Sequence, residues 1–141
     1  MMTMDERFVG AWILVDTSFQ LGEEPIYPLG EHPVGMLILT EKGFLSAQLS
    51  TADRDRFDAE TRVGGSEEEK LAAFDSYMAY AGMTRLEDDR LVTTVMMSLY
   101  PNWTGGEQVR QWRFEGEHLV LSGGMPMGDE EMTFDLTWRR V

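Results

Sequence analysis

The sequence predicts an all-β protein, an eight-stranded antiparallel barrel with one amphipathic helix inserted at about residues 66–79. Most of the chain alternates apolar and polar residues at a period of two, which is typical of strands. Short turns join most of these segments, so neighbouring strands are expected to pair antiparallel. A meander of this many strands hides its edges best by closing into a barrel.

Eight segments carry the strand pattern, and residues typical of turns separate them. Glu41-Lys42-Gly43, Asp88-Asp89 and Glu115-Gly116-Glu117 have the length and composition of hairpin loops. Gly123-Gly124 and Gly128, which lie near Pro126, indicate a flexible connection before the last strand. The predicted strands are 8–19, 34–40, 44–49, 82–87, 90–99, 107–114, 118–122 and 132–140.

One segment departs from the strand pattern. Ser66 and Glu69 have the spacing of a capping box, in which each side chain bonds the backbone of the other residue. Leu71, Phe74 and Met78 follow at helical spacing. These residues predict one amphipathic helix that begins at Ser66 and ends near residue 79.

Composition limits the class of protein. A chain of 141 residues is expected to form a single domain over residues 1–141. Twelve Lys and Arg against twenty-five Asp and Glu give a net charge of -13, which argues against binding to nucleic acid or an anionic membrane. The start of the chain lacks a secretory signal, and no apolar run approaches the roughly 20 residues of a membrane helix. We therefore expect a cytoplasmic, acidic protein.

Residues typical of catalytic or metal sites are scarce. The absence of Cys excludes a thiol nucleophile, a thiolate zinc site and an iron–sulfur cluster. His32 and His118 are the only imidazoles, and neither stands in a metal-binding spacing. We expect no metal and no cofactor, and the sequence assigns no catalytic residue.

Several motifs occur in a fixed order along the chain. The first strand contains Gly10-Ala11-Trp12, a Gly-x-Trp motif. Later motifs are Pro28-Leu29-Gly30-Glu31-His32-Pro33, Ser46-Ala47-Gln48, Ala79-Tyr80-Ala81-Gly82, and Leu99-Tyr100-Pro101-Asn102-Trp103-Thr104-Gly105 with Glu107-Gln108. From about Gly10 to Arg139, the chain resembles the bacterial and fungal lipocalin-like domain family.

This resemblance implies a calycin-type β-barrel of eight antiparallel strands, with a central cavity for small apolar ligands. It implies no particular reaction, because a fold does not define a function. The chain departs from the family at Thr93 and Thr94, where the family often carries His. Any function that depends on an imidazole at that place is therefore in doubt.

The alternation within the last strand predicts which residues face inward. Phe134, Leu136, Trp138 and Arg140 share one face, and that face is mostly apolar. In lipocalin-like barrels an Arg from a late strand covers the indole of the Gly-x-Trp motif, and Arg140 is placed to cover Trp12. The alternative is an exposed Arg near the chain end.

The strand after Trp103 carries the most informative polar residues. Trp112 and Phe114 indicate that their face points inward, which brings Gln108 and Arg110 into the barrel. A buried Arg needs an anion or several acceptors. Arg110 and Gln108 are therefore candidates to bind a carboxylate, enolate or carbonyl of a ligand. The alternative is an internal ion pair between Arg110 and a carboxylate such as Asp16, Asp75 or Glu107.

Other candidate ligand contacts lie at strand ends and inside the barrel. Tyr80, Tyr100 and Trp103 could line a mouth, or they could pack beneath a loop. Gln48 could add a polar contact, although its inward or outward direction is undecided because neighbouring residues support both. The candidate ligand-binding set is completed by Trp112. Eleven Met residues suit either an adaptable cavity or an ordinary core.

Three functions are compatible with these residues. The first is binding of a small hydrophobic molecule that carries an anionic or carbonyl group, oriented by Arg110 and Gln108. The second is a cofactor-independent cyclase or isomerase acting on a polyketide-like or terpenoid-like molecule, through enolate stabilisation. The third is a protein-interaction or dimerisation module that uses exposed Met and Trp, with a homodimer as the simplest case.

Overall fold

The computed structural model describes residues 3–141, which form a closed antiparallel barrel of eight strands with one short extra strand and one α-helix. The predicted fold class is confirmed. The elements are β1 (Gly10–Leu21), β2 (Glu24–Ile26), β3 (Val34–Leu39), β4 (Phe44–Ser50), α1 (Glu67–Asp75), β5 (Tyr77–Glu87), β6 (Arg90–Ser98), β7 (Glu107–Glu115), β8 (His118–Met127) and β9 (Glu130–Arg140).

The barrel closes because the first and last strands pair. Strand β1 lies beside β9 from Trp12 opposite Arg140 to Leu21 opposite Met132, with a bulge between Leu14 and Asp16. On its other side the first part of β1 pairs with β3, and its last three residues pair with the extra strand β2. Every other barrel strand pairs with its neighbour in sequence. The eight-stranded sheet therefore leaves no long exposed edge.

Strand β8 is five residues longer than the sequence predicted. Strand β8 continues through Gly123, Gly124 and Pro126 to Met127, so the predicted flexible connection there is wrong. Gly123 stands opposite Phe134, in a place where a side chain would collide with its neighbours. The glycine is thus required by close packing inside the sheet rather than by a turn.

The helix is confirmed, although it is shorter than predicted. The Ser66 hydroxyl accepts a hydrogen bond from the Glu69 N–H, and the Glu69 carboxylate accepts one from the Ser66 N–H. This backbone hydrogen bond from Ser66 is the largest cause that lowers the pKa of Glu69, and a second bond from the Asp58 N–H adds to it. The capping box therefore forms as its spacing predicts.

The helix ends at Asp75, and Met78 belongs to strand β5 instead. No residue of the helix is buried, so the predicted apolar helix face does not enter the core. Pairing with β4 competes with continuation of the helix, and strand pairing brings Met78 and Tyr80 into the barrel. Burial of these two side chains outweighs the local preference for a helix, so the helical spacing of Met78 predicts the wrong element.

One end of the barrel is closed by the segment that precedes β1. Phe8 is fully buried there, with its ring centroid 5.2 Å from that of Trp112 and 5.4 Å from that of Phe114. The Trp12 indole N–H donates to the Phe8 carbonyl at 3.0 Å. The Arg140 guanidinium lies 4.7 Å from the Trp12 ring centroid and donates to the backbone carbonyl of Arg7. The predicted contact between Arg140 and Trp12 is confirmed.

Replacement of Arg140 by Ala removes both the cation–π contact and the bond to the Arg7 carbonyl. We expect the free energy of unfolding to fall by about 1–2 kcal/mol in urea titrations. The neighbouring Arg139 provides a matched control, because its side chain makes no hydrogen bond or ion pair with residues 3–141. Arg139→Ala should change stability by less than about 0.5 kcal/mol. Equal effects of the two substitutions would contradict this role of Arg140.

Candidate ligand-binding site

An apolar cavity lies inside the barrel, and all eight barrel strands contribute side chains to its wall. The wall consists of aliphatic, aromatic and methionine side chains, with polar groups from Tyr80, Arg110 and Trp138. Its volume is about 40 Å³. Pockets for small molecules usually measure about 300–1,000 Å³, so the lumen is nearly filled by its own side chains.

Arg110 enters this cavity from strand β7 and is 9% exposed. The predicted inward face of β7 is confirmed, because Gln108, Arg110, Trp112 and Phe114 are all at least partly buried. One guanidinium nitrogen of Arg110 donates to the Val109 carbonyl at 3.0 Å, and the other donates to the Gln108 side-chain oxygen at 3.1 Å. Both partners are neutral, so the positive charge itself is uncompensated by them.

The ion pair considered as an alternative for Arg110 does not form. No carboxylate of residues 3–141 pairs with Arg110. Glu107 lies on the outer face of β7, where its carboxylate is 2.8 Å from the Arg85 guanidinium. Glu107 and Glu87 together raise the pKa of Arg85 through these bonds. Asp16 instead accepts a bond from the Thr17 N–H at 2.9 Å.

Two aromatic rings lie against the guanidinium of Arg110. Its central carbon lies 4.9 Å from the ring centroid of Phe134 and 5.9 Å from that of Tyr80. These rings interact favourably with a cation through their faces, although they do not satisfy its N–H donors. Arg110 is therefore held in place while several of its donors remain free.

The predicted mouth residues lie together beside the cavity. The Trp103 ring packs edge-on against Tyr80 and Tyr100, with centroid distances of 6.1 Å and 5.5 Å. Tyr80 lines the cavity, Trp103 is half-buried, and Tyr100 is exposed. The structure thus joins Tyr80, Arg110 and Gln108 directly, and Trp103 reaches them through Tyr80.

Two residues of the candidate set lie elsewhere. Gln48 is exposed on the outer face of β4, where it accepts a bond from the Tyr77 hydroxyl, and Ala47 and Leu49 face the cavity instead. Trp112 packs at the closed end against Phe8 and beneath Arg7, whose guanidinium is 5.3 Å from its ring. We therefore leave both residues out of the site.

The sequence did not predict several residues of the cavity wall as ligand contacts. Met78, Met125 and Met132 line the cavity, but the sequence pattern predicts Met78 in the helix and Met125 in a connection. Trp138 lines it as well, and the sequence placed it only as a core residue. Thr93, on the strand where the family often carries His, forms a buried 2.7 Å hydroxyl–hydroxyl contact with Thr84. No alternation pattern distinguishes such residues from an ordinary core.

Gly123 makes room for the polar part of the site. A Cβ atom at this position would lie 2.7 Å from Cζ of Phe134 and 3.2 Å from Cδ and Nη1 of Arg110. The Phe134 ring is itself held against Phe19, at a centroid distance of 5.7 Å. The absence of a side chain at Gly123 therefore permits Arg110 and Phe134 to stack.

Gly123→Ala should displace Phe134 and Arg110 and lower the free energy of unfolding by about 1–3 kcal/mol. Gly106→Ala is the control, because a Cβ at Gly106 would be 3.5 Å from its nearest neighbour, the Trp103 carbonyl. That control should stay within about 0.5 kcal/mol of the parent in urea titrations. A Gly123→Ala variant as stable as the parent would show that Arg110 and Phe134 can move to accommodate a Cβ atom, and that the glycine is not required there.

The closed antiparallel barrel and its enclosed apolar lumen define the class of small β-barrels with an internal cavity. The family model of the lipocalin-like domain matches residues 9–141. The chain belongs to the lipocalin-like domain family, and the resemblance of its motifs to that family is confirmed.

Two similar proteins were identified. The 4'-hydroxy-3'-methoxypropiophenone carrier protein ppsC of Aspergillus oryzae is 32% identical over 108 residues, which cover 69% of this chain and 96% of that protein. A solved structure, the uncharacterized protein YLR301w of Saccharomyces cerevisiae, matches with a TM-score of 0.51 and 14% identity. That match covers 93% of this chain and 54% of the yeast chain, and it supports the fold alone.

Two further structural facts concern the whole of residues 3–141. No helix in this range has the length and apolar character needed to cross a membrane. The range also contains no group of three His, Asp or Glu side chains positioned to hold a metal ion.

Proposed function

We propose that this protein binds a small hydrophobic molecule inside the barrel and orients it through an anionic or carbonyl group at Arg110. The observation that supports this most directly is a buried Arg in an apolar cavity without an ion-pair partner among residues 3–141. Burial of an unpaired charge costs several kcal/mol, so a fold that retains one benefits from an anionic ligand. The hydrogen bond from the guanidinium to Gln108 orients the remaining N–H groups of Arg110 for the anionic group of the ligand.

A ligand of useful size requires the cavity to expand. Met78, Met125 and Met132 line it, and Met side chains move at low cost because they are unbranched and flexible. We propose that the ligand displaces these thioethers and takes their place against the apolar wall. A wall of this kind adapts to ligands of differing outline.

The Aspergillus oryzae relative supports the chemical class. Its name describes a carrier of an aromatic ketone that also bears a hydroxyl and a methoxy group. Such a molecule combines an apolar ring with oxygen acceptors, which suits an apolar cavity with a guanidinium in its wall. We propose that this chain likewise carries a small aromatic or similarly apolar molecule with an oxygen acceptor.

Arg110→Met separates ligand binding from stability, because Met keeps much of the volume and removes the charge. We expect a free energy of unfolding equal to the parent or about 1 kcal/mol higher. We also expect affinity for apolar carboxylates, such as para-propylbenzoate, to fall about 10–100-fold in calorimetric titrations.

Arg113→Met is the control, because Arg113 lies on the outer face of the same strand and pairs with Glu115 at 2.7 Å. It should leave the affinity unchanged. If Arg110→Met instead lost more than about 1 kcal/mol of stability and kept its affinity, Arg110 would be a structural residue.

The natural ligand can be sought in the protein as purified. Native mass spectrometry, followed by organic extraction, would identify any molecule that remains bound. An apolar acid or ketone found in the parent and lost in Arg110→Met would support the proposal and define the chemical class.

A second candidate function is association with another copy of the chain. Ile38, Phe44, Met96 and Met97 are exposed on the outer face of neighbouring strands and line one shallow apolar groove. A patch of this kind without charged residues is typical of an interface. We propose that it mediates a homodimer.

Light scattering on the parent should then give twice the mass of the chain. Met97→Glu should give the single-chain mass, because it places a charge within the patch. Val63→Glu, at an exposed loop residue outside the groove, is the control and should stay dimeric. A parent of single-chain mass at high protein concentration would contradict the dimer.

A further inference from the structure

The polar groups of the cavity wall are mainly hydrogen-bond donors. Arg110 and Trp138 can donate and cannot accept, and the Tyr80 hydroxyl can do both. The rest of the wall consists of aliphatic, aromatic and methionine side chains. A ligand in this cavity is therefore matched by oxygen acceptors rather than by its own donors.

Trp138 is the donor that the proposed function leaves unused. Its side chain is 1% exposed, and its buried indole N–H has no hydrogen-bond partner among residues 3–141. Buried polar groups are nearly always satisfied in native structures, so an exception needs an explanation. Arg110 also keeps three free N–H groups, since a guanidinium has five and two are engaged.

The two donors lie at different depths in the barrel. Arg110 stacks on Phe134, and Trp138 is four residues further along strand β9 toward the end closed by Trp12 and Arg140. The backbone positions of Phe134 and Trp138 are four residues apart, which is about 13 Å along a strand. This backbone spacing favours an elongated molecule, with one acceptor at each end, over a single small polar group.

We propose that the cavity takes an elongated ligand with two acceptors, an anionic oxygen at Arg110 and a neutral carbonyl or ether oxygen at the Trp138 indole N–H. This inference rests on the proposed function and adds to it the second polar contact and the direction of the ligand. The anionic end lies in the half of the barrel near the mouth, and the neutral acceptor lies toward the closed end. Trp138 then determines specificity between ligands that share the same anionic end.

The test compares two ligands that differ only at the inner acceptor. Para-propanoylbenzoate carries a ketone opposite its carboxylate, and para-propylbenzoate has a methylene in place of that carbonyl. Both are ionised at neutral pH, so their interaction with Arg110 is the same. We expect the parent to bind the ketone about 10-fold more tightly, which corresponds to one hydrogen bond to a buried donor.

Trp138→Phe removes the N–H and keeps an aromatic ring. It should abolish the roughly 10-fold preference for the ketone over the alkyl compound, because the two ligands differ only at the acceptor that the indole N–H binds. Trp112→Phe is the matched control, because the Trp112 indole N–H is also buried without a partner but lies outside the cavity wall. That control should retain the parent's preference for the ketone.

A second readout needs no variant that could fail to fold. In nuclear magnetic resonance spectra of the ¹⁵N-labelled parent, the Trp138 indole proton should shift downfield with the ketone and much less with the alkyl compound. The Trp112 indole proton should respond to neither. Equal affinities of the parent for the two ligands, or an unmoved Trp138 signal, would overturn the inference.

The outcomes also separate this inference from the proposed function. If the parent binds both ligands equally and Arg110→Met weakens both, the proposed function stands and the role of Trp138 is wrong. If the parent binds neither ligand, or binds both as well after Arg110→Met, the proposed function fails and the inference fails with it. If Trp138→Phe weakens both ligands equally, Trp138 has a packing role only.

Discussion

The pairing of the first strand with the last is the constraint on which the rest of this structure depends. It closes the sheet, and closure decides for every strand which alternate residues face the lumen. The same register sets Trp12 opposite Arg140, so the guanidinium covers the indole. The guanidinium also donates a hydrogen bond to the Arg7 carbonyl, which holds the segment before β1 across the end of the barrel. With that end sealed by Phe8 and its neighbours, the cavity lies between the sealed end and the loops opposite.

Arg110 shows how strand alternation produces an uncompensated charge. Glu107 is three residues away on β7, but an odd separation along a strand sends the two side chains to opposite faces. Glu107 therefore meets Arg85 outside, and Arg110 meets Gln108, the Val109 carbonyl and two rings inside. Gly123 leaves the space that this stack needs. The local packing thus supports the guanidinium without neutralising its charge.

The cavity is small because side chains of the wall, several of them flexible, fill most of the lumen. Rigid β-branched residues would either keep a fixed void, which is costly, or exclude a ligand altogether. The flexible side chains of Met78, Met125 and Met132 fill the space without a void, and they can change rotamer to make room. Under the proposed function, affinity comes from the difference between the ligand's contacts with the wall and those of the displaced thioethers.

The sequence by itself determined the strand content, the inward face of β7 and β9, the capping box and the contact of Arg140 with Trp12. These features depend on alternation and spacing within short segments, or on motifs of the family. Only the tertiary structure decided that Gln48 faces outward, that Trp112 belongs to the closed end, and that Met78 and Gly123 lie in strands. It also decided that no carboxylate of residues 3–141 pairs with Arg110. Such outcomes depend on the register between strands far apart in sequence, and a local pattern carries no information about that register.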